Sequence, residues 1–259
     1  MKNLRVALLQ NDVVWEDVAA NLSCCESRLS DMDTDVQLAV LPEMFTTGFS
    51  MNATALAEEG DSLTIRALKR WSSQFDVAIA GSYIARDKGC CFNRGFFVKP
   101  DGEMTFYDKR HLFRMGDEGR FFTAGNERIV VDYLGWRIAL FICYDLRFPV
   151  WCRNVGNEYD LALFVASWPQ VRAQVWRTLL MARAIENAAY VCGVNRVGED
   201  GNHLVYTGDT MAVDYKGILM SKAVDGCQET LIVELDGDKL CSFREKFPVW
   251  RDADSFVIR

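Results

Sequence analysis

The sequence predicts an α/β fold, a four-layer α-β-β-α sandwich built on two mixed sheets. Three observations carry that expectation. About a dozen short apolar runs of strand length recur along the 259 residues. Glycine-bearing turns join some of them directly, and helix-length amphipathic segments separate others. Half of the residues are hydrophobic, at 50%, which supplies a substantial core.

In chain order, the first strand covers residues 4–10, and a helix-length segment follows at 12–32. The apolar run at 36–41 ends against Pro42. A helix is expected at 62–75, where Asp61 or Ser62 can accept from the first free amides. Strands at 77–83, 94–99 and 104–109 come next, the last two joined by a Pro100, Asp101, Gly102 turn. Leu134 and Gly135 join 129–133 to 136–143 in the same way. A helix is expected at 147–157, with Pro149 tolerated in its first turn. After a strand at 161–168, residues 171–189 place Val175, Leu179, Ala182 and Ile185 or Glu186 on one stripe, a helical period. Strands at 190–197, 210–214, 218–223 and 230–235 close the chain, with Lys216 and Gly217 turning the middle pair. Hairpins dictate antiparallel pairs and helical crossovers allow parallel ones, so each sheet is mixed. Many apolar strands with only four or five helices fit two sheets face to face, with helices covering the outer faces.

No repeat of about 20 to 50 residues and no Gly/Ser/Pro-rich linker divides the chain, which reads as one domain over residues 1–259. Lys plus Arg total 29 against 36 Asp plus Glu, a formal charge of -7, so a phosphate-tracking nucleic-acid surface is not expected. The ligand is expected to be small. The VALL stretch after Arg5 is too short for a signal-peptide core, and no run approaches the roughly 18 apolar residues of a membrane helix. A cytoplasmic protein with no membrane partner follows. Nine cysteines include the adjacent pairs Cys24-Cys25 and Cys90-Cys91 but no C-x-x-C. Most are expected to be reduced and buried, Cys152, Cys192 and Cys241 among them.

Only two histidines exist, His111 and His203, so a base or acid is more readily sought among carboxylates and lysines. His203 lies in a polar turn and reads as solvated; His111 stands close to Lys109 and near a candidate site. Three segments offer chemistry. In the first, an apolar strand ends at Cys143 where a helix is expected to begin, exposing the thiol to the positive end of that helix; the alternative is a small buried apolar residue. In the second, a strand ends in Glu43, a candidate base or a simple loop carboxylate. In the third, the return strand of the Gly102 hairpin closes with Lys109, which taken alone reads as solvated.

Taken together, Pro42-Glu43-Met44, the Tyr107 to Leu112 segment and the Cys143 to Pro149 segment resemble the nitrilase (carbon-nitrogen hydrolase) superfamily over nearly the whole chain. Residues 6–10, 183–187 and 207–211 look like its scaffold segments, and residues 46–51 with 109–113 look most like its YafV-type omega-amidases. The resemblance implies the same α-β-β-α sandwich and a catalytic triad of Glu43, Lys109 and Cys143. It also implies a supporting acid at Glu118, or at the neighbouring Asp117, and no metal or organic cofactor. Cysteine thioester chemistry would release ammonia from the terminal amide of a short dicarboxylic monoamide such as 2-oxoglutaramate or 2-oxosuccinamate, with the Tyr144 backbone amide and Lys109 holding the oxyanion. N-carbamoyl amine hydrolysis and nitrile hydrolysis use the same triad and stand as alternatives; a thiol or metal-binding protein is the non-enzyme alternative.

A distal carboxylate calls for an arginine, with Arg147, Arg172 and Arg196 as candidates by proximity. Phe45, Phe49 and Trp168 are candidate apolar walls, core packing being the other role open to them. The resemblance further implies a homodimer or higher homo-oligomer. Trp151, Trp176 and the aromatics Phe243, Phe247, Trp250 and Phe256 are candidates for that surface or for the core.

Overall fold

The computed structural model describes residues 2–257. Its elements are β1 (Leu4–Gln10), α1 (Val18–Ser30), β2 (Leu38–Val40), α2 (Ala53–Leu56), β3 (Glu58–Glu59), α3 (Leu63–Gln74), β4 (Ala78–Asp87), β5 (Cys90–Val98) and β6 (Met104–Asp108). Then come β7 (Val130–Tyr133), β8 (Trp136–Ile142), β9 (Leu161–Ala166), α4 (Ala173–Asn187), β10 (Tyr190–Asn195), β11 (Val197–Glu199), β12 (Val205–Thr207), β13 (Met211–Val213), β14 (Leu219–Lys222), β15 (Glu229–Leu235) and α5 (Gly237–Lys246).

Two mixed sheets result. One runs β15-β1-β2-β4-β5-β6, with β3 against β4; the other runs β14-β13-β10-β9-β8-β7. The centre of each is parallel, β1-β2-β4 in one and β8-β9-β10 in the other. Parallel neighbours need a crossover, and α1, α3 and α4 supply three of them. Strands such as β2 and β9 are apolar at every position because both faces are covered, one by the other sheet and one by helices. Leu8, Val40, Ala80, Leu140 and Val194 belong to the core between the sheets, whereas Leu9, Leu41, Ile79, Leu68 and Trp71 belong to the layer under α1 and α3.

The hairpins form where the glycines place them. A further turn, Lys88 and Gly89 with φ of 49° and 80°, joins β4 to β5 and starts β5 at Cys90 rather than at residue 94. Ser62 caps α3 through the Ile65 amide. The helix at 12–32 begins only at Val18, where Asp17 accepts from Ala20 N.

Two expectations fail for identifiable reasons. The helix at 147–157 does not form: the chain makes short 3-10 turns at Cys143–Arg147 and Val155–Asn157. Pro149 lies beyond the first of these turns, Gly156 has φ 61°, and Asn154 pairs with Tyr159 and Asn187. In α4 the buried stripe is Trp176, Leu180, Arg183, Ala184 and Asn187, one residue on from the expected one, and Ile185 is 57% exposed. Ile185→Ser should therefore change stability by no more than about 0.5 kcal/mol, whereas Leu180→Ala should cost about 2 to 5 kcal/mol; urea unfolding of both variants checks the register. Of the two roles open to them, Trp151 and Trp176 take the core, whereas Phe247 and Phe256 are exposed.

All nine cysteines are free. Cys152 and Cys192 are buried as expected, but Cys241 is exposed on α5, an element that the apolar pattern did not reveal. No helix among the described residues is long and apolar enough to cross a membrane.

Candidate active site

The sheets bring several strand ends to one edge of the sandwich. β2 runs out into Pro42 and Glu43, and Met44 turns the chain with φ 45°, its amide bonded to Ser82 Oγ at 2.9 Å. β6 ends at Asp108, so Lys109 follows immediately, its backbone N bonded to Asn93 O and its O to Gly125 N, both at 3.0 Å. A Cβ on Gly125 would stand 2.1 Å from the Asp108 carbonyl oxygen, so only glycine permits that pairing. β8 ends at Ile142, and Cys143 opens the 3-10 turn with φ 45°. A β-substituted residue in this left-handed region stores about 1 to 3 kcal/mol of backbone strain. Asp145 pins the turn by accepting from Ile142 N at 3.0 Å.

The three side chains meet. Lys109 Nζ lies 2.8 Å from Glu43 Oε1, and 3.0 and 3.1 Å from Glu118 Oε2 and Oε1. Glu43 Oε2 accepts from Ser167 N at 2.8 Å, and Ser167 O is 4.0 Å from Cys143 Sγ. Ser167 thus binds Glu43 through its amide and faces Cys143 through its carbonyl. Glu43, Lys109 and Glu118 are fully buried. Asp117 is instead paired with Arg120 at 3.3 Å near the surface. It has φ 54° and precedes the Glu118–Arg120 turn, whose Glu118 points inward and accepts from Phe113 N at 2.6 Å.

Electrostatics decide how the thiol can react. Burial, then Glu43, push Cys143 well above the ordinary thiol range, outweighing Lys109. The expected lowering by a helix N-terminus does not operate, because the chain makes only one five-residue 3-10 turn here. Cys143 is therefore held towards its neutral thiol form. Burial disfavours the Lys109 charge, but Glu118 and Glu43 outweigh it and hold the ammonium above its ordinary value. Burial raises Glu118.

The sequence pattern of the family described as carbon-nitrogen hydrolase matches residues 5–245. The chain belongs to that family. As a carbon-nitrogen hydrolase it is 47% identical over 257 residues to the omega-amidase YafV of Escherichia coli K12, covering 99% of each chain. It is 30% identical to the 2-oxoglutaramate amidase of Bacillus subtilis, over 95% of this chain and 96% of that one. A solved CN-hydrolase superfamily protein of Xanthomonas campestris, described with an arsenic adduct in its active site, superposes with a TM-score of 0.98 at 41% identity over 100% of both chains.

In this carbon-nitrogen hydrolase a cavity of about 450 Å³ opens above the sulfur, with Cys143, Tyr144 and Ser167 among its lining residues. Trp168, Arg147 and Arg172 also line it, as does Phe49, whose ring centroid is 5.1 Å from Lys109 Nζ. Arg147 lies 5.1 Å from the Trp168 ring and Arg172 lies 5.4 Å from the Phe113 ring. Neither guanidinium has a carboxylate in ion-pair distance among the described residues, in a chain of net charge -7.

Two candidates fall elsewhere. Phe45 packs edge-on to Phe96 at 5.8 Å in the layer under the helices and does not reach the cavity; residue 49, at the far end of the same loop, takes the wall position. Arg196 is fully buried and occupied by Val197 O, Glu199 O, Asp12 and the Tyr206 ring. His111 is tied to Asp145 at 2.8 Å and stacked on Phe148 at 3.7 Å, a structural placement. His203 is 88% exposed, as its polar turn predicts. Residues the sequence did not single out are Asn93, bonded to both glutamates, Ser167, bonded to Glu43, and Tyr206 and Phe113 on the cavity wall. Asn93, a polar residue beside an apolar hairpin run, was the one local signal among them.

Proposed function

We propose that this protein is an amidohydrolase that cleaves the terminal amide of a short dicarboxylic monoamide of the 2-oxoglutaramate or 2-oxosuccinamate type. The observation that carries the reading is the Cys143 thiol lining the cavity beside Ser167, whose amide binds the same Glu43 carboxylate that holds Lys109 at 2.8 Å. Glu43 takes the thiol proton as sulfur attacks the amide carbon. Lys109 has three N–H protons; Glu43 holds one, the two similar contacts to Glu118 share another, and one remains for the oxyanion alongside Tyr144 N–H. Glu43 returns its proton to the departing nitrogen, ammonia leaves, and a thioester remains on Cys143. Water then gives a proton to Glu43 and its hydroxyl to the acyl carbon, releasing the acid and restoring the thiol.

The substrate class is supported by the names of the bacterial relatives and by the charge of the cavity. Arg147 and Arg172 are free to receive a carboxylate. Of the two carboxylates that line the cavity, Asp200 is consumed by Tyr206 Oη, Asn202 N and Leu204 N and Asp117 is paired with Arg120, so neither offers itself to an ammonium. A keto acid amide therefore suits the cavity better than an amino acid amide such as glutamine. Ammonia release from 2-oxoglutaramate, glutamine, N-carbamoyl amines and simple nitriles tests this: fast turnover of the keto amide is expected, and turnover of a nitrile with none of the keto amide would overturn it. Arg147→Met and Arg172→Met should each raise KM for the keto amide about 10- to 100-fold, the worth of a hydrogen bond to a charged group, as read from initial rates. We further propose a cytoplasmic homo-oligomer, supported by nine free thiols, which suit a reducing compartment, and by exposed Phe247 and Phe256.

A further inference from the structure

Asn93 lies in β5, wholly buried, and takes no part in lining the cavity. Its Nδ2 donates to Glu43 Oε1 at 2.8 Å and to Glu118 Oε1 at 3.1 Å. Ser82 Oγ fixes the orientation by donating to Asn93 Oδ1 at 2.9 Å. A flipped amide would aim its carbonyl at two carboxylates. Ser82 also accepts from the amide of Met44, the residue after Glu43, and Asn93 O accepts from Lys109 N. The Asn93 side chain therefore ties the two carboxylates together, while its backbone carbonyl and its partner Ser82 hold the backbones of Lys109 and Met44.

The acceptor sites of Glu43 are unequally filled. Oε1 receives two donors, Lys109 and Asn93, which fills its two lone pairs. Oε2 receives only Ser167 N. Ser167 also faces Cys143 through its carbonyl oxygen, so Oε2 is on the sulfur side. We propose that Asn93 is a positioning residue: by filling Oε1 it leaves Oε2 as the site on Glu43 that receives the Cys143 proton, and by bridging to Glu118 it stops the Glu43 carboxylate from rotating. This rests on the assignment of Glu43 as base and Cys143 as nucleophile. Without the bridge, the Glu43 carboxylate can turn to share Lys109 between its oxygens, and Oε2 is no longer held open to the sulfur. The titratable groups facing Glu43 are Lys109 after β6, Glu118 in its own turn and Cys143 after β8; Tyr206 of β12 faces the sulfur.

Asn93→Leu removes the donor at similar volume and admits no water in its place. Steady-state kinetics on the keto amide from about pH 5 to 9, normalised to titratable Cys143, should show kcat lower by about 10- to 100-fold and KM within about twofold. A purely structural role would reduce the active fraction and leave kcat per thiol unchanged; that result overturns the inference. If the leucine variant does not fold, Asn93→Ala is read by the same criteria. Glu43→Gln, measured alongside, separates the two levels. An inactive Glu43→Gln with a wild-type Asn93 variant defeats only the role of Asn93, whereas an active Glu43→Gln defeats the underlying mechanism.

Discussion

Cys143→Ala is expected to abolish turnover while leaving a folded protein, a loss on the order of 10⁶-fold in kcat, the scale on which removing the nucleophile acts in enzymes that pass through an acyl intermediate. The size follows from the site. Glu43 and Lys109 are wholly buried, and Cys143 is the residue of the three that lines the cavity, so no other member of the triad is placed to attack in its stead. Intact-mass measurement during turnover should show an acyl adduct on the wild type and none on the variant. Normal turnover by Cys143→Ala would end the covalent mechanism. Cys143→Gly sharpens the test, because glycine accepts φ 45° without strain. It should be as inactive as the alanine variant and more stable than it, by about 1 kcal/mol or more.

Lys109→Met should damage both chemistry and fold. Losing one donor to an oxyanion costs about 100- to 1000-fold in kcat, and here a charge goes with it. The larger structural effect is that Glu43 and Glu118 remain buried together without their cation. Removing one partner of a buried ion pair costs about 3 to 5 kcal/mol. The pH dependence has a definite sign. Burial raises Glu118, and a carboxyl raised on folding destabilises the fold as pH climbs past its unfolded value near 4.3. In the wild type Lys109, itself raised, offsets that cost and keeps doing so below its unfolded value near 10.4. The variant has no such offset, so its deficit should be small near pH 5 and full above pH 7. Urea unfolding of both proteins at the two pH values checks it; a deficit that grows on acidification would contradict the burial of two charged carboxylates around the lysine.

Much of the architecture was legible because glycines and apolar runs are local signals. Gly102, Gly135 and Gly217 mark hairpins that form as read. Helix register was less legible: Val175 and Trp176 are both apolar and adjacent, and period alone cannot say which faces the sheet, whereas packing buries the tryptophan and half-exposes the valine. Pro149 is equally compatible with a helix start and with a bend, and the following Asn154 and Gly156 decided for the bend. At the site, Glu43, Lys109 and Cys143 were each ambiguous from their own segments, and it was the resemblance that grouped them. Asn93 and Ser167 escaped notice because nothing within ten residues of either shows that it touches Glu43; their roles are written in strand pairing between distant stretches.

Glu43 and Lys109 hang from the sheet that contains β2 and β6, whereas Cys143 and Ser167 hang from the sheet that contains β8 and β9. Neither half owns a complete reaction centre. A loosening of the seam, too slight to unzip either ladder of hydrogen bonds, already parts the sulfur from Glu43 and Lys109. Heating should therefore silence the enzyme before it melts it, and catalysis becomes a finer gauge of how tightly the two halves are pressed together than any measure of secondary structure.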